Sequence, residues 1–206
     1  LRKCATDVQL KSFLLLTLPF CSAAFNLFFK KNCSFIEGAV FYILIPVVTS
    51  VWASGLSVFC IVAFRRPLRW YVAILACCFL YPLLLGYIYP QIYSYNFVYR
   101  YFPGFSYDET MSITPSILIF AGITFVLGVL LYLLSEEILV RRTQHRPARR
   151  LGPFLRTGTI IFLSVCMASA WILRADLGLE SPAHVIQQQL GGSFKTEHFT
   201  IYYSPK

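Results

Sequence analysis

An all-α integral membrane helix bundle of about five spans, followed by a short extramembrane helix-strand tail, is the fold class this sequence predicts. Three observations predict it. Of the 206 residues 57% are hydrophobic and only 13% charged, with 18 basic and 9 acidic side chains, against roughly 25% charged in an ordinary soluble domain. Mean hydropathy is +0.65, which excludes a disordered segment, because disorder requires low hydrophobicity and high charge. The apolar residues also gather into five stretches long enough to cross about 30 Å of hydrocarbon, a distance that takes roughly 20 helical residues. A soluble enzyme core of this length would need a charged skin, and that skin is missing.

The predicted spans are 12–29, 38–64, 70–89, 115–134 and 157–173. Lys11, Lys30 and Lys31 bound the first; Glu37, Arg65 and Arg66 bound the second; Arg69 and Pro90 bound the third. The fourth stops before Glu136 and Glu137, and Arg156 and Arg174 close the fifth. No Asp, Glu, Lys, Arg or His lies within these bounds, so helices can satisfy the backbone without burying charge. A barrel strand needs alternating polarity, whereas 13–16 and 39–48 are apolar on every side. Pro46 and Pro82 are expected to kink two spans. Small residues at Ser50, Ser54, Gly122, Gly128, Ser164 and Ala168 are expected at close helix approaches.

Charge predicts orientation. With the N-terminus and the second and fourth connections on one face, that face carries Arg2, Lys3, Lys11, Arg65, Arg66, Arg69, Arg141, Arg142, Arg146, Arg149, Arg150 and Arg156 against Asp7, Glu136 and Glu137, the whole net +9. The other face balances Lys30, Lys31, Arg100, Arg174, Lys195 and Lys206 against Glu37, Asp108, Glu109, Asp176, Glu180 and Glu197. The positive-inside rule then places the N-terminus inside and the C-terminus outside a cytoplasmic (inner) membrane. The basic balance therefore reflects topology rather than nucleic-acid binding. Arg141, Arg142, Arg146, Arg149 and Arg150 are candidate contacts for anionic lipid headgroups, at about 1 kcal/mol per basic residue. Lys11, the apolar run and Ser22, Ala23 and Ala24 also resemble a cleavable signal peptide; an uncleaved anchor gives the second span its required direction.

The aromatic residues crowd into and beside the second outer loop: Tyr87, Tyr89, Tyr93, Tyr95, Phe97, Tyr99, Tyr101, Phe102, Phe105 and Tyr107. Two readings stand. The rings form an interfacial belt at headgroup level, or the loop folds and presents a surface to a protein partner, being long for a connector. Tyr95, Tyr99, Arg100, Tyr101, Phe102, Tyr107, Asp108 and Glu109 are the candidate surface. The two carboxylates, after the Pro103-Gly104 turn, suit a cation or acid-base pair, or simply the N-terminal end of the fourth helix, where the dipole favours negative charge.

Of the seven cysteines, Cys21, Cys60, Cys77, Cys78 and Cys166 fall within spans, Cys4 lies on the inner side and Cys33 alone faces outward. That placement predicts no intrachain bridge outside, and no spacing matches a zinc ligand set. Asn32, Cys33 and Ser34 match the common glycosylation triplet.

After Arg174 the chain becomes polar. Ser181 and Pro182 form a start signal and Gly191 a left-handed stop, predicting a helix over Ala183–Leu190. Residues 194–203 alternate as one β-strand, with Phe199, Ile201 and Tyr203 on one face and His198, Thr200 and Tyr202 on the other. A lone strand buries too little to stand in water, so it is expected to pair with another chain or with residues beyond 206. His184 and His198 belong to no H-E-x-x-H pattern.

The segment Ser193-Phe194-Lys195-Thr196-Glu197-His198-Phe199-Thr200-Ile201-Tyr202-Tyr203-Ser204-Pro205 resembles the opening strand of peptidase MA-like domains, the gluzincin zinc metallopeptidases. Tyr101-Phe102-Pro103-Gly104-Phe105-Ser106-Tyr107-Asp108-Glu109 is similar to a loop of bacterial multi-pass membrane proteins that carry such a domain outside the membrane. The resemblance implies a membrane region, 1–174, and a tail, 175–206, that begins an extracytoplasmic domain of a longer protein. The first residue, Leu1 rather than Met, agrees with a part of something longer. The family's zinc ligands and catalytic glutamate lie in an H-E-x-x-H motif downstream of this strand, and no position here matches them. The expectation is therefore a membrane anchor or scaffold without a complete active site, cofactor or metal of its own, zinc belonging to the implied downstream domain. An accessory subunit of a membrane complex is the alternative; a small transporter is disfavoured by the uncharged spans.

Overall fold

The computed structural model describes residues 2–26, 29, 35–88, 94–98, 100–102, 113–143, 153–180 and 183–205. Its helices are α1 (Arg2–Asn26), α2 (Phe35–Tyr42), α3 (Val48–Ala63), α4 (Pro67–Ile88), α5 (Pro115–Thr143), α6 (Pro153–Ile172) and α7 (Ala183–Leu190). A π-helical turn, Ile43–Val47, joins α2 and α3 into one continuous rod. The described residues also form two antiparallel hairpins: β1 (Ser94–Asn96) with β2 (Arg100–Phe102), and β3 (Gly192–Lys195) with β4 (Thr200–Tyr203). Among the described residues five helical segments are long and apolar enough to cross a membrane, and the chain is a multi-pass membrane helix bundle.

All five predicted spans are present, with shifted ends. α1 starts ten residues earlier than predicted and includes Asp7 and Lys11. Polar contacts with the bundle explain the extension: the Gln9 amide donates to Ser50 Oγ at 3.4 Å, and the Ser54 hydroxyl donates to Gln9 Oε1. α5 runs nine residues past its predicted end at 134 because Glu136 and Glu137 do not break it. Glu137 instead meets Arg141 at 2.8 Å one turn on, and Arg156 of α6 at 2.6 Å.

The proline expectations resolve differently in the two helices. Pro46 lacks an N–H and its ring crowds the preceding turn; the rod accommodates it by widening, with the Val48 N–H reaching Ile43 O. Pro82 stays inside α4 and leaves the Cys78 carbonyl without its usual i→i−4 donor.

The centre of the bundle is α3 against α5. They run parallel: Gly55 lies beside Gly128, and Arg142 reaches Val62. A Cβ on Gly55 would sit 2.6 Å from Gly128 O, and one on Gly128 3.0 Å from Trp52 Cα, so the two backbones touch. Trp52, Leu56 and Cys60 form the buried core, with Tyr71, Ile74 and Leu75 of α4 and Leu127 and Leu131 of α5 packed around it. Of the predicted small residues, Gly128 makes the close approach and Ser50 and Ser54 receive Gln9; Gly122, Ser164 and Ala168 are exposed. Peripheral α1, α4 and α6 display Leu15, Leu18, Leu84 and Phe162 outward, as helices bathed in lipid do, since lipid tails are as apolar as leucine.

The tail corrects the expectation of a single unpaired strand over 194–203. Residues 196–199 form a turn instead: the Thr196 N–H donates to Phe199 O at 2.8 Å, and the Phe199 N–H to Thr196 Oγ1 at 3.0 Å. β3 and β4 therefore pair with each other, Gly192 opposite Tyr203 and Lys195 opposite Thr200. The polar Thr-Glu-His run at the turn outweighed the alternation, and His198 belongs to the turn rather than to a strand face. α7 occupies its predicted residues, ending at Gly191 with φ +73°; Ser181 and Pro182 lie outside the described residues.

Candidate functional site

α4 packs on α3 and α6 packs on α5, which leaves a cleft between α4 and α6 at the end of the bundle where the first hairpin sits. Its cavity has a volume of about 380 Å³, within the range of small-ligand sites. α4 contributes Cys77, Cys78, Tyr81, Pro82 and Leu85 to the wall; α5 contributes Phe120 and Ile123; α6 contributes Met167, Ala170 and Trp171. Tyr95, Asn96 and Phe97 roof it, and Arg174, Leu179 and Glu180 form the rim.

Pro82 explains why the hairpin docks there. It leaves the Cys78 carbonyl free, and an unsatisfied carbonyl is costly in an apolar interior. Asn96, only 4% exposed, donates its side-chain N–H to that carbonyl and accepts the Val98 N–H at 2.6 Å. The adjacent rings then enter the bundle: Phe97 stacks on Trp52 at 5.7 Å and on Phe120 at 5.3 Å, and Tyr95 tilts onto Phe120 at 5.2 Å. Hydrophobic patterning passes over Asn96, whereas a proline inside a span signals that some donor must reach the carbonyl four residues before it.

The rim has its own local cause. Beyond α6 the chain makes one more turn and closes in a Schellman motif: the Leu179 N–H reaches Arg174 O at 2.8 Å, and the Gly178 N–H reaches Ala175 O at 3.0 Å. Gly178 takes φ +67°, which glycine tolerates without a Cβ clash. The reversal returns Glu180 to Arg174, whose Nε donates to the carboxylate. The guanidinium also lies over the Trp171 ring, 4.9 Å from its centroid.

The predicted outer-loop surface is only partly visible. Tyr95 is half-buried against Phe120, and Arg100, Tyr101 and Phe102 form the backbone of β2. Tyr99, Tyr107, Asp108 and Glu109 lie outside the described residues, as do Asn32, Cys33 and Ser34.

At the opposite end, Arg141 is exposed and paired with Glu137. Arg142 donates to Val62 O at 2.6 Å and Ala63 O at 3.4 Å, capping the C-terminus of α3. Arg146, Arg149 and Arg150 lie outside the described residues. Among the described residues no three His, Cys, Asp or Glu side chains cluster as metal ligands. No family model, curated protein or solved structure matches the chain.

Proposed function

We propose that the chain is the membrane anchor and scaffold of an extracytoplasmic domain, seated in a cytoplasmic membrane with the arginine-rich end inside. The exposed second hairpin carries this reading. Phe194, Phe199, Ile201, Tyr202 and Tyr203 all lie open, and a two-stranded ribbon is marginal alone in water; its apolar faces suit burial against a further folded unit. The net +9 on one set of connections supports the orientation. The gluzincin-like segment around Thr196-Glu197-His198-Phe199 supports a zinc metallopeptidase-like domain as that unit, with zinc held there and not by this bundle.

Two measurements test it. In a cysteine-free background, a membrane-impermeant maleimide should label Ser204→Cys in intact spheroplasts and leave Thr143→Cys unlabelled until lysis; the reverse pattern refutes the orientation. The reading frame beyond Lys206 should encode H-E-x-x-H, and the full-length protein should show chelator-sensitive hydrolysis. A frame without that motif removes the peptidase. A stoichiometric partner retained on the hairpin in mild detergent would then favour the accessory-subunit reading.

A further inference from the structure

The cleft between α4 and α6 has a physical requirement that the anchor reading does not use. Its wall is mainly apolar, and Asn96 in its roof is already engaged by Cys78 O and the Val98 N–H. Buried water needs about two to four polar partners, so a mainly apolar wall suits a hydrocarbon chain better than water. Cys77, Tyr81 and Trp171 are lining residues that are themselves exposed, which opens the cleft sideways toward the surrounding lipid. From Arg174 to Met167 it descends about 10 Å along α6, at about 1.5 Å per residue.

We infer that the cleft binds one acyl chain of a phospholipid whose headgroup carries a phosphate, a primary ammonium and no further charge, that is, a phosphatidylethanolamine. An acyl chain gains no hydrophobic energy on passing from bilayer to cleft, because both are apolar; selection must come from the rim. There Arg174 and Glu180 present opposite charges side by side. Arg174 uses Nε on Glu180, and a guanidinium has further N–H donors at its other end for a phosphate. The Trp171 ring lies against that guanidinium. The Glu180 carboxylate has acceptor positions for an ammonium N–H, which a quaternary choline lacks and a glycerol headgroup replaces with neutral hydroxyls. A neutral charge pair also offers no net attraction to an anionic lipid.

The test is lipid retention by the full chain. Protein equilibrated in equal parts phosphatidylethanolamine, phosphatidylcholine and phosphatidylglycerol with identical chains, then stripped with mild detergent, is examined by native mass spectrometry. One phosphatidylethanolamine per protein is expected, favoured about tenfold over the other two, the equivalent of one charge-assisted hydrogen bond. Glu180→Gln should abolish the preference while leaving the cleft volume unchanged. Arg174→Gln should reduce retention of all three lipids, and Ala170→Trp should block the cleft, whereas Val165→Trp on the exposed face of α6 should retain lipid normally. Equal retention of the three lipids, a preference for phosphatidylglycerol, or unaltered retention in Glu180→Gln overturns the assignment. None of these outcomes depends on the orientation or on a downstream domain.

Discussion

The bond between Asn96 and the Cys78 carbonyl makes a quantitative prediction, because its cause lies in a third residue. Asn96→Ala removes the side-chain partner of two part-buried backbone groups, the Cys78 carbonyl and the Val98 N–H. Each unsatisfied group costs about 1–3 kcal/mol in proteins generally, while side-chain hydrogen bonds measured inside membranes average about 0.6 kcal/mol with a maximum of about 1.7. The expected loss is therefore about 1–3 kcal/mol, or roughly 2–12 °C in Tm for a chain of this size. Pro82→Ala restores an N–H four residues after Cys78 and removes a helix-interior proline, about 3 kcal/mol less favourable than alanine, so alone it should stabilise. In that background Asn96→Ala should cost about 1 kcal/mol less, since the carbonyl then has its helical donor and only the Val98 N–H loses a partner. Detergent-driven unfolding read by tryptophan fluorescence measures all four corners of the cycle; Trp52, stacked on Phe97, reports on this region. An equal Asn96→Ala penalty with and without Pro82 would refute the argument that the proline recruits the hairpin.

Two further predictions concern the bundle. Gly55→Ala places a Cβ 2.6 Å from Gly128 O and should destabilise by about 1–3 kcal/mol as the backbones separate, whereas Gly122→Ala, with nothing within 4 Å of its Cβ, should be neutral or stabilising by up to about 1 kcal/mol; the same unfolding assay separates them. At the other end, Glu137→Gln leaves the largely covered Arg156 without its ion-pair partner, and Arg142→Gln uncaps Val62 O and Ala63 O. Each should cost about 1–3 kcal/mol, against under about 0.5 kcal/mol for Arg141→Gln, whose side chain is 75% exposed.

The five spans were legible because hydropathy is local: a helix across lipid is specified by the apolar content of its own 20 or so residues. The ends were less legible because they depend on other helices. Nothing within residues 2–11 says that Gln9 will meet Ser50 and Ser54, and nothing around Glu137 says that Arg156 will return beside it. The tail shows the same division. Ala183–Leu190 follows from its own cap signals, but alternation over 194–203 concealed a turn at Thr196 that depends on cross-strand pairing. At the site, Tyr95 was singled out for its loop, whereas Asn96, Arg174 with Glu180, and Gly178 were missed as a group because the cleft they frame joins four separate parts of the chain.

The residues that join the helices share a physical role. In lipid the hydrophobic effect does not prefer one apolar helix face to another, so the arrangement of the spans rests on the few places where backbones touch or a polar group finds a partner. Gly55 and Gly128 join α3 to α5, Gln9 and Ser54 join α1 to α3, and Asn96 and Cys78 join the first hairpin to α4. α6 is tied near its two ends, by Arg156 to Glu137 and by the turn whose Gly178 packs against Ser116 at the start of α5. Between those ties its small residues Ser164 and Ala168 are exposed rather than packed against a neighbouring helix. α4 packs on α3 and α6 on α5, and the room left between these two outer helices at the hairpin end is the cleft. The same economy of contacts that positions the bundle thus determines where a lipid chain can enter it.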